Sequence, residues 1–470
     1  MGKIMHVSRF CSLLFCFYFI IPVVAPAADE VNHLVTLLKS EEPEVRYKAA
    51  RSLQKLGPTA EPAIPPLIAA LNDLGAPTKY DVQYLGPRVR NAASDALASI
   101  GRPTVPALIK ALRDKDPATR AMAADTLAKL GPDANASFAE LSRTLNDPES
   151  WVRDSAVAAI ARVGAAPQVV VPLLEQKYRR ADKDDYIRVS ILESLANADP
   201  QATMVMPLLI EALDDSDGDV MAAAARTLGS YNNKARLAVN ALSKSLTTTK
   251  VRWDSFADFG FTVPVRTDVV RALAAIGPPA KVAEPSLIRL MQQDENEITR
   301  IMSAAALVRI SPEKTSARQA MTFLIQTLQD QEKAQAKAAE ALGMIGNAAA
   351  VAALSETLQA PDESEFGSLR AAVARALGEI GPPAKTAVPA LRAALWEKKE
   401  WHFDVRNESA LALGKIGPAA KSAIPDLIEA SHSDDEHLQD LASEAIRKIK
   451  NSARQQNHAD DAGEGSSERK

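Results

Sequence analysis

Apolar residues in this chain recur at helical spacing in short runs, and the runs come in pairs. In KAARSLQKLGPTAEPAIPPLIAAL, which starts at Lys48, Ala49, Ala50, Leu53 and Leu56 mark one face of a three-turn helix. A Gly-Pro break follows, and Pro65 then opens a second Leu-rich stretch. Nearly the same phrase returns as VRALAAIGPPAKVAEPSLIRL from Val270, as VARALGEIGPPAKTAVPALRAAL over 373–395 and as SALALGKIGPAAKSAIPDLIEA from Ser409. The glycine supplies a left-handed cap, and the proline after it forbids continuation of the helix. The second proline is tolerated in the first turn of the next helix, where its missing N–H has no helical partner.

Aligned on one arginine, the copies place a glycine eleven positions later: Arg46/Gly57, Arg90/Gly101, Arg120/Gly131, Arg153/Gly164, Arg266/Gly277, Arg370/Gly381 and Arg406/Gly417. The helix-opening proline recurs at Pro65, Pro106, Pro172, Pro207, Pro285, Pro389 and Pro425. Each repeat is therefore expected to be two antiparallel helices, the second starting near the arginine and ending at the glycine. Asp114, Asp147, Asp182, Asp215 and Asp294 precede the aligned arginine position by six residues, in the turn between the helices. A carboxylate there can cap backbone N–H groups and reach an arginine, so the Asp/Arg ladder reads as structural. Less regular copies lose marks: Met221 and Gln335 replace the arginine, and Asp199 and Ser311 replace the glycine. Twelve repeats of about 35 residues fit between Val31 and Lys450. A helix pair of that size cannot bury its apolar face alone, whereas stacked neighbours share a continuous core.

These units resemble HEAT repeats, in particular the phycobilin-lyase-like variety. The matching marks are V-R-x-x-A-A (Val45-Arg46 with Ala49-Ala50, Val89-Arg90 with Ala92-Ala93), the terminal L-x-x-[IL]-G and the Asp before the arginine. The resemblance covers about 31–450. It implies an all-α fold, an α-solenoid coiled as a right-handed superhelix of about twelve HEAT-type pairs, with the second helices lining a concave face. It also implies a scaffold that binds along that surface, and it says little about activity.

Composition changes the picture at the ends of the chain. MGKIMHVSR carries Lys3 and Arg9 without an acid, the 15-residue apolar run FCSLLFCFYFIIPVV follows, and Ala25 and Ala27 then flank a small-residue site. This is the pattern of a secretory signal peptide over residues 1–27, with an uncleaved N-terminal membrane anchor as the lesser alternative. A secreted or periplasmic chain is expected, off the membrane once cleaved. Both cysteines lie in that segment, so the remaining chain has no thiol for disulfides, metal or catalysis. The repeat domain is read as 28–450, and 451–470 as a disordered polar tail. Without its first 27 residues the chain has 53 basic and 59 acidic side chains, which argues against nucleic acid as a partner.

The regular spacing breaks at four turns, around NDLGAPTKYDVQYLGP, TTTKVRWDSFADFGFTVP, APDESEFGS and WEKKEWHFD. All fall at the same turn type and so leave one edge of the solenoid. Of the seventeen aromatic residues after residue 27, ten sit in these loops: Tyr80, Tyr84, Trp253, Phe256, Phe259, Phe261, Phe366, Trp396, Trp401 and Phe403. Long loops are often functional, and Trp and Tyr are enriched among residues that dominate binding energy. All of these but Phe366 are the candidate partner-binding residues. The bland alternative is that the rings fold back onto neighbouring repeats.

No enzyme signature stands out. There is no His-Glu dipeptide of the kind HEAT-like iron hydroxylases use, no C-x-x-C-H, and no phosphate-binding glycine loop. His432 and His437 with Asp434, Asp435 and Glu436 read as a solvated acidic turn rather than a metal site. The sequence thus points to a monomeric, cofactor-free scaffold for unidentified protein partners. Two alternatives stay open: a glycan or cell-wall binder stacking on Trp253, Trp396 and Trp401, and a HEAT-like lyase or oxidoreductase with an unrecognised cofactor.

Overall fold

The structure, a computed structural model, describes residues 25–76, 88–182, 186–253, 262–330, 334–360, 368–396 and 403–464. Most of the expected signal segment, 1–24, lies outside them. The chain is an all-α solenoid that divides into two compact units, 1–165 and 166–470.

The first unit holds four helix pairs: α1 (Ala25–Leu37) with α2 (Pro43–Leu56), α3 (Ile64–Ala69) with α4 (Val89–Ile100), α5 (Val105–Ala111) with α6 (Pro117–Leu130), and α7 (Phe138–Thr144) with α8 (Ser150–Ile160). The second unit holds eight. They begin with α9 (Pro167–Arg180) and α10 (Ile187–Ala198), α11 (Met206–Ala212) and α12 (Gly218–Ser230), and α13 (Val239–Ser245) and α14 (Val265–Ile276). Next come α15 (Glu284–Gln293) with α16 (Glu297–Ile310), α17 (Thr315–Gln329) with α18 (Gln335–Ile345), and α19 (Val351–Gln359) with α20 (Ser368–Ile380). The last are α21 (Val388–Ala394) with α22 (Phe403–Ile416) and α23 (Ile424–Ala430) with α24 (Glu436–Glu464). Twelve described pairs match the twelve repeats counted in the sequence.

Within each unit the second helices of successive pairs pack on one another, α2–α4–α6–α8 in one and α10 through α24 in the other. The shared core is made of fully buried leucines from both helices, such as Leu53, Leu97 and Leu127 from second helices and Leu67, Leu108 and Leu141 from first helices. Each contributes about 1.5–3 kcal/mol when removed from water. Small residues set the spacing. Gly343 on α18 and Gly378 on α20 face Ala376 and Ala412, and a Cβ on either glycine would fall 2.8 or 2.9 Å from the facing Cα.

All seven aligned glycines adopt positive φ, from +57° at Gly57 to +87° at Gly101. A short 3-10 segment then precedes most first helices, as in Gly57–Ala63, Pro278–Ala283 and Gly417–Ala423. It buries alanines three residues apart, Ala60 with Ala63, Ala280 with Ala283 and Ala420 with Ala423. That spacing matches the 3.0-residue turn of this helix type.

Three expectations change. Helix α9 begins at Pro167, so Pro172 lies inside it rather than at its start. The second loop is not irregular throughout: β1 (Val251–Trp253) pairs antiparallel with β2 (Thr262–Pro264), as suits β-branched and aromatic residues. A Cβ on Gly218 would lie 1.9 Å from the Val251 carbonyl oxygen, so the hairpin sits directly on the backbone that opens α12. Helix α24 continues through Glu464, into the segment read as a tail, because Ala, Arg and Gln favour helix there and no proline stops it.

Gly378→Ala tests the close packing, because the two effects have opposite sign. Helix propensity alone favours alanine by about 1 kcal/mol, whereas overpacking costs about 1–3 kcal/mol. The expected outcome is a lower thermal midpoint by circular dichroism and faster amide exchange in α20 and α22. A raised midpoint would refute contact-limited packing.

Candidate interaction surface

The turn between the two helices of a pair is built around the aligned arginine. Arg120 donates through Nη1 to the Asp114 and Lys115 carbonyls of its own turn, at 3.0 and 3.1 Å. Its Nε and Nη2 reach forward to Asp147 of the next pair, at 2.7 and 2.8 Å. Asp147 also accepts from the Glu149 amide at 3.1 Å. Arg46 repeats the arrangement, holding the Ser40 and Glu41 carbonyls at 2.8 Å and Asp73 at 2.6 and 3.0 Å. In the second unit Arg266 grips Asp294 at 2.6 and 3.0 Å, Arg188 bonds Asp215, and Arg406 lies 3.6 Å from Asp435. Arg153 and Arg370 donate to the backbone carbonyls of Asp147 and Leu358 at 3.0 and 2.9 Å. The buried Nε of Arg90 finds no partner among the described residues.

The direction of the Asp/Arg ladder is not the one the spacing suggested. The aspartate caps its own turn and pairs with the arginine of the preceding pair, 27 residues back in Arg120–Asp147. The arginine six residues after the aspartate uses Nη1 on the carbonyls of that turn, and its fork faces the next repeat.

Where the arginine is missing, other donors serve. Beside Met221, Lys250 donates to the Asp215 carbonyl, the group an arginine at 221 would take. The Gln335 amide donates to the Leu328 carbonyl at 2.8 Å. Where the glycine is missing, buried carboxylates tie the ends together. Glu284 accepts from Lys314 at 2.5 Å and from Ser316 at 2.9 Å, beside Ser311. Asp199 accepts from the Met204 amide at 2.7 Å. Nothing periodic in the sequence marks Lys250 or Glu284, and both were missed.

Electrostatics follows the geometry. Burial works against ionised Asp147, but hydrogen bonds from Arg120 and the Glu149 amide outweigh it and hold the carboxyl below its ordinary range. Asp73 is held low in the same way, burial being outweighed by Arg46 and the Gly75 amide.

Of the aromatic candidates, Trp396 is the one whose side chain is described. It lies in the turn just after α21, 40% exposed, with Nε1 3.4 Å from Oδ1 of Asp426. Asp426 also accepts from Arg392 Nε at 2.6 Å, so one carboxylate on α23 steadies both neighbours. Trp253 lies in β1 opposite Thr262, and Phe403 opens α22. Tyr80, Tyr84, Phe256, Phe259, Phe261, Phe366 and Trp401 lie outside the described residues. The flanks of their segments all leave at the turn that carries the ladder. Trp151, 43% exposed at such a turn on α8, was missed because its turn has regular length.

Among the described residues no group of three or more His, Cys, Asp or Glu side chains is placed to hold a metal, and no helix is long and apolar enough to cross a membrane. His432 Nδ1 lies 2.7 Å from the Ile428 carbonyl.

Models of HEAT repeats match residues 83–161, 105–194, 171–255, 284–366, 321–403 and 358–450, more than half of the chain. A PBS lyase HEAT-like repeat model matches 45–73. No curated protein matches. Among solved structures, the Kap95:Nup1 complex is similar at 13% identity, covering 89% of this chain and 63% of that one, with a TM-score of 0.52. Yeast importin-beta (Kap95p) is similar at 14% identity, with coverages of 88% and 63% and a TM-score of 0.50. The chain thus spans under two thirds of those two relatives, and at such identities the likeness concerns the fold alone.

Arg120→Ala should destabilise the first unit by about 3 kcal/mol, because it strands a nearly buried carboxylate. Carboxyls held below the unfolded value add stability above about pH 4 and lose it as pH falls through the depressed folded value. Acid titration followed by helical dichroism should show that loss, with a shallower slope in Asp147→Asn. An unchanged slope would refute this role for Asp147.

Proposed function

The chain belongs to the HEAT-repeat family, and from that premise we propose that it is an exported scaffold that binds protein partners. The observation that carries the reading is Trp396: a large aromatic face, solvent-exposed yet held by Asp426, beside the segment that contains Trp401. A pre-fixed indole loses little freedom on binding, and tryptophan is enriched among residues that dominate interface energy.

The second helices supply the broader surface, the concave face of the proposal. Ion pairs tie neighbouring second helices together: Lys129–Asp95 at 2.6 Å, Arg226–Glu193 at 2.6 Å, Arg375–Glu408 at 2.7 Å and Lys415–Glu379 at 2.5 Å. Such a mixed pattern favours recognition of another folded protein over a polyanion. Kap95 in the Kap95:Nup1 complex is a solenoid of similar fold solved with another protein. Lys3, Arg9, the apolar run and Ala25/Ala27 support export.

Crosslinking capture from the extracytoplasmic fraction, with the native chain and Trp396→Ala, tests the reading. Partner recovery should fall about tenfold in the variant, in line with a loss above 1 kcal/mol at a dominant interface residue. Unchanged protein recovery with lost glycan retention would favour the carbohydrate-binding alternative. Terminal sequencing of the exported chain should begin at Ala28; a chain retaining Met1 would contradict cleavage.

A further inference from the structure

The edge opposite the ladder, where second helices end at the Gly-Pro break, changes character in the second unit. In the pairs ending at α12 and α18 the usual Gly-Pro is replaced by Asn232-Asn233 and Gly346-Asn347. Asn232 takes the glycine's left-handed backbone, with φ +51°, a conformation asparagine tolerates better than most residues. The position normally held by proline then carries an amide. Asn233 is exposed, and its side chain makes no hydrogen bond among the described residues. Asn347 uses Oδ1 to accept from the Ala349 amide at 2.9 Å and leaves its NH2 group open.

These amides line a groove. A depression of about 660 Å³ runs along the ends of α12, α14, α16 and α18, walled by Asn232, Asn233, Pro278, Arg309, Pro312 and Asn347. A second depression, of about 500 Å³, at the ends of α10 and α12 shares Asn232 and Asn233 and adds Lys234. No acidic side chain lines either one, although acids outnumber bases 59 to 55 in the chain. The helix C-termini give this edge a negative field. Lys234 and Arg309 each commit a donor to it, at 2.8 Å to the Pro200 carbonyl and 3.2 Å to the Met344 carbonyl, and both remain exposed. The 3-10 segments that supply Asn233 and Pro278 also present exposed Arg236 and Lys281 next to Leu237 and Val282, which are 74% and 61% exposed.

We propose that this groove binds an extended acidic segment of a partner polypeptide. The side-chain amide of Asn233 offers both donor and acceptor, as an extended peptide unit does, and Asn347 adds the donors of its open NH2 group. The cations complement carboxylates, and Pro278 and Pro312 accept apolar side chains. A sulfated polysaccharide would engage the cations but has no peptide backbone for the amides. The proposal rests on the scaffold reading only in taking the ligand to be a polypeptide.

Fluorescence anisotropy with a labelled Glu-Ser alternating dodecapeptide and the full mature chain provides the test. Saturable binding that weakens with salt is expected. Asn233→Asp/Asn347→Asp, which keeps the cap acceptor at 347, should weaken it at least tenfold with an unchanged melting curve. The neutral pair Asn233→Ser/Asn347→Ser should weaken it severalfold, which separates the amides from charge alone. Heparin should compete poorly, and its binding should ignore the serine pair. Absence of saturable binding, wild-type affinity in both asparagine double variants, or equal competition by heparin would each overturn the proposal. Trp396→Ala should leave peptide binding intact, so failure of the groove and failure of the Trp396 surface are read separately.

Discussion

A pair of short helices leaves an apolar stripe in water unless another pair covers it. Everything regular in this chain follows from that constraint. Leu53 and Leu67 are fully buried because neighbours close over them. The arginine fork of one repeat closes on the aspartate of the next, so the polar turn is also completed only by a neighbour. Apolar and polar cohesion therefore share one direction along the stack. The glycines on α18 and α20 tighten the same contact by letting backbone meet backbone.

The departures show which part of the pattern is indispensable. Losing the arginine at 221 does not leave the turn carbonyl empty, because Lys250 arrives from the next pair. Losing the glycine at 311 is offset by Glu284, which gathers Lys314 and Ser316. What persists is the occupied carbonyl and the tied helix end, rather than any particular side chain. A buried acceptor without a donor costs about 1–3 kcal/mol, reason enough for a substitute.

Much of the fold was legible in the sequence because helical period, Gly cap and Pro start are local signals. The positive φ of Gly57 and its six counterparts follows from position in the motif alone. The direction of the Arg–Asp bond was not legible. Asp147 is six residues from Arg153 and 27 from Arg120, and only stacking brings the farther one close. The 3-10 segments had a readable mark, alanines three apart after the Gly-Pro, that was not used. The hairpin at 251–264 escaped because three-residue strands carry too little periodicity. For the surface, the turn that carries the loops was legible from repeat length, whereas the anchoring of Trp396 by Asp426 requires a contact across repeats that no local pattern encodes.

The forward reach of each arginine bears on how such a chain can change length over generations. Arg120 needs a carboxylate to arrive 27 positions later, in whichever module comes next. Excising or copying a stretch of whole modules preserves that phase wherever the modules at the new junction carry the arginine and the aspartate. A gain of one residue between clasp partners is absorbed, as in Arg266–Asp294 at 28 positions, and a longer stretch between an aspartate and its own turn's arginine, as between Asp73 and Arg90, leaves the clasp untouched. Long insertions are thereby admitted at one kind of turn, the one between the two helices of a pair.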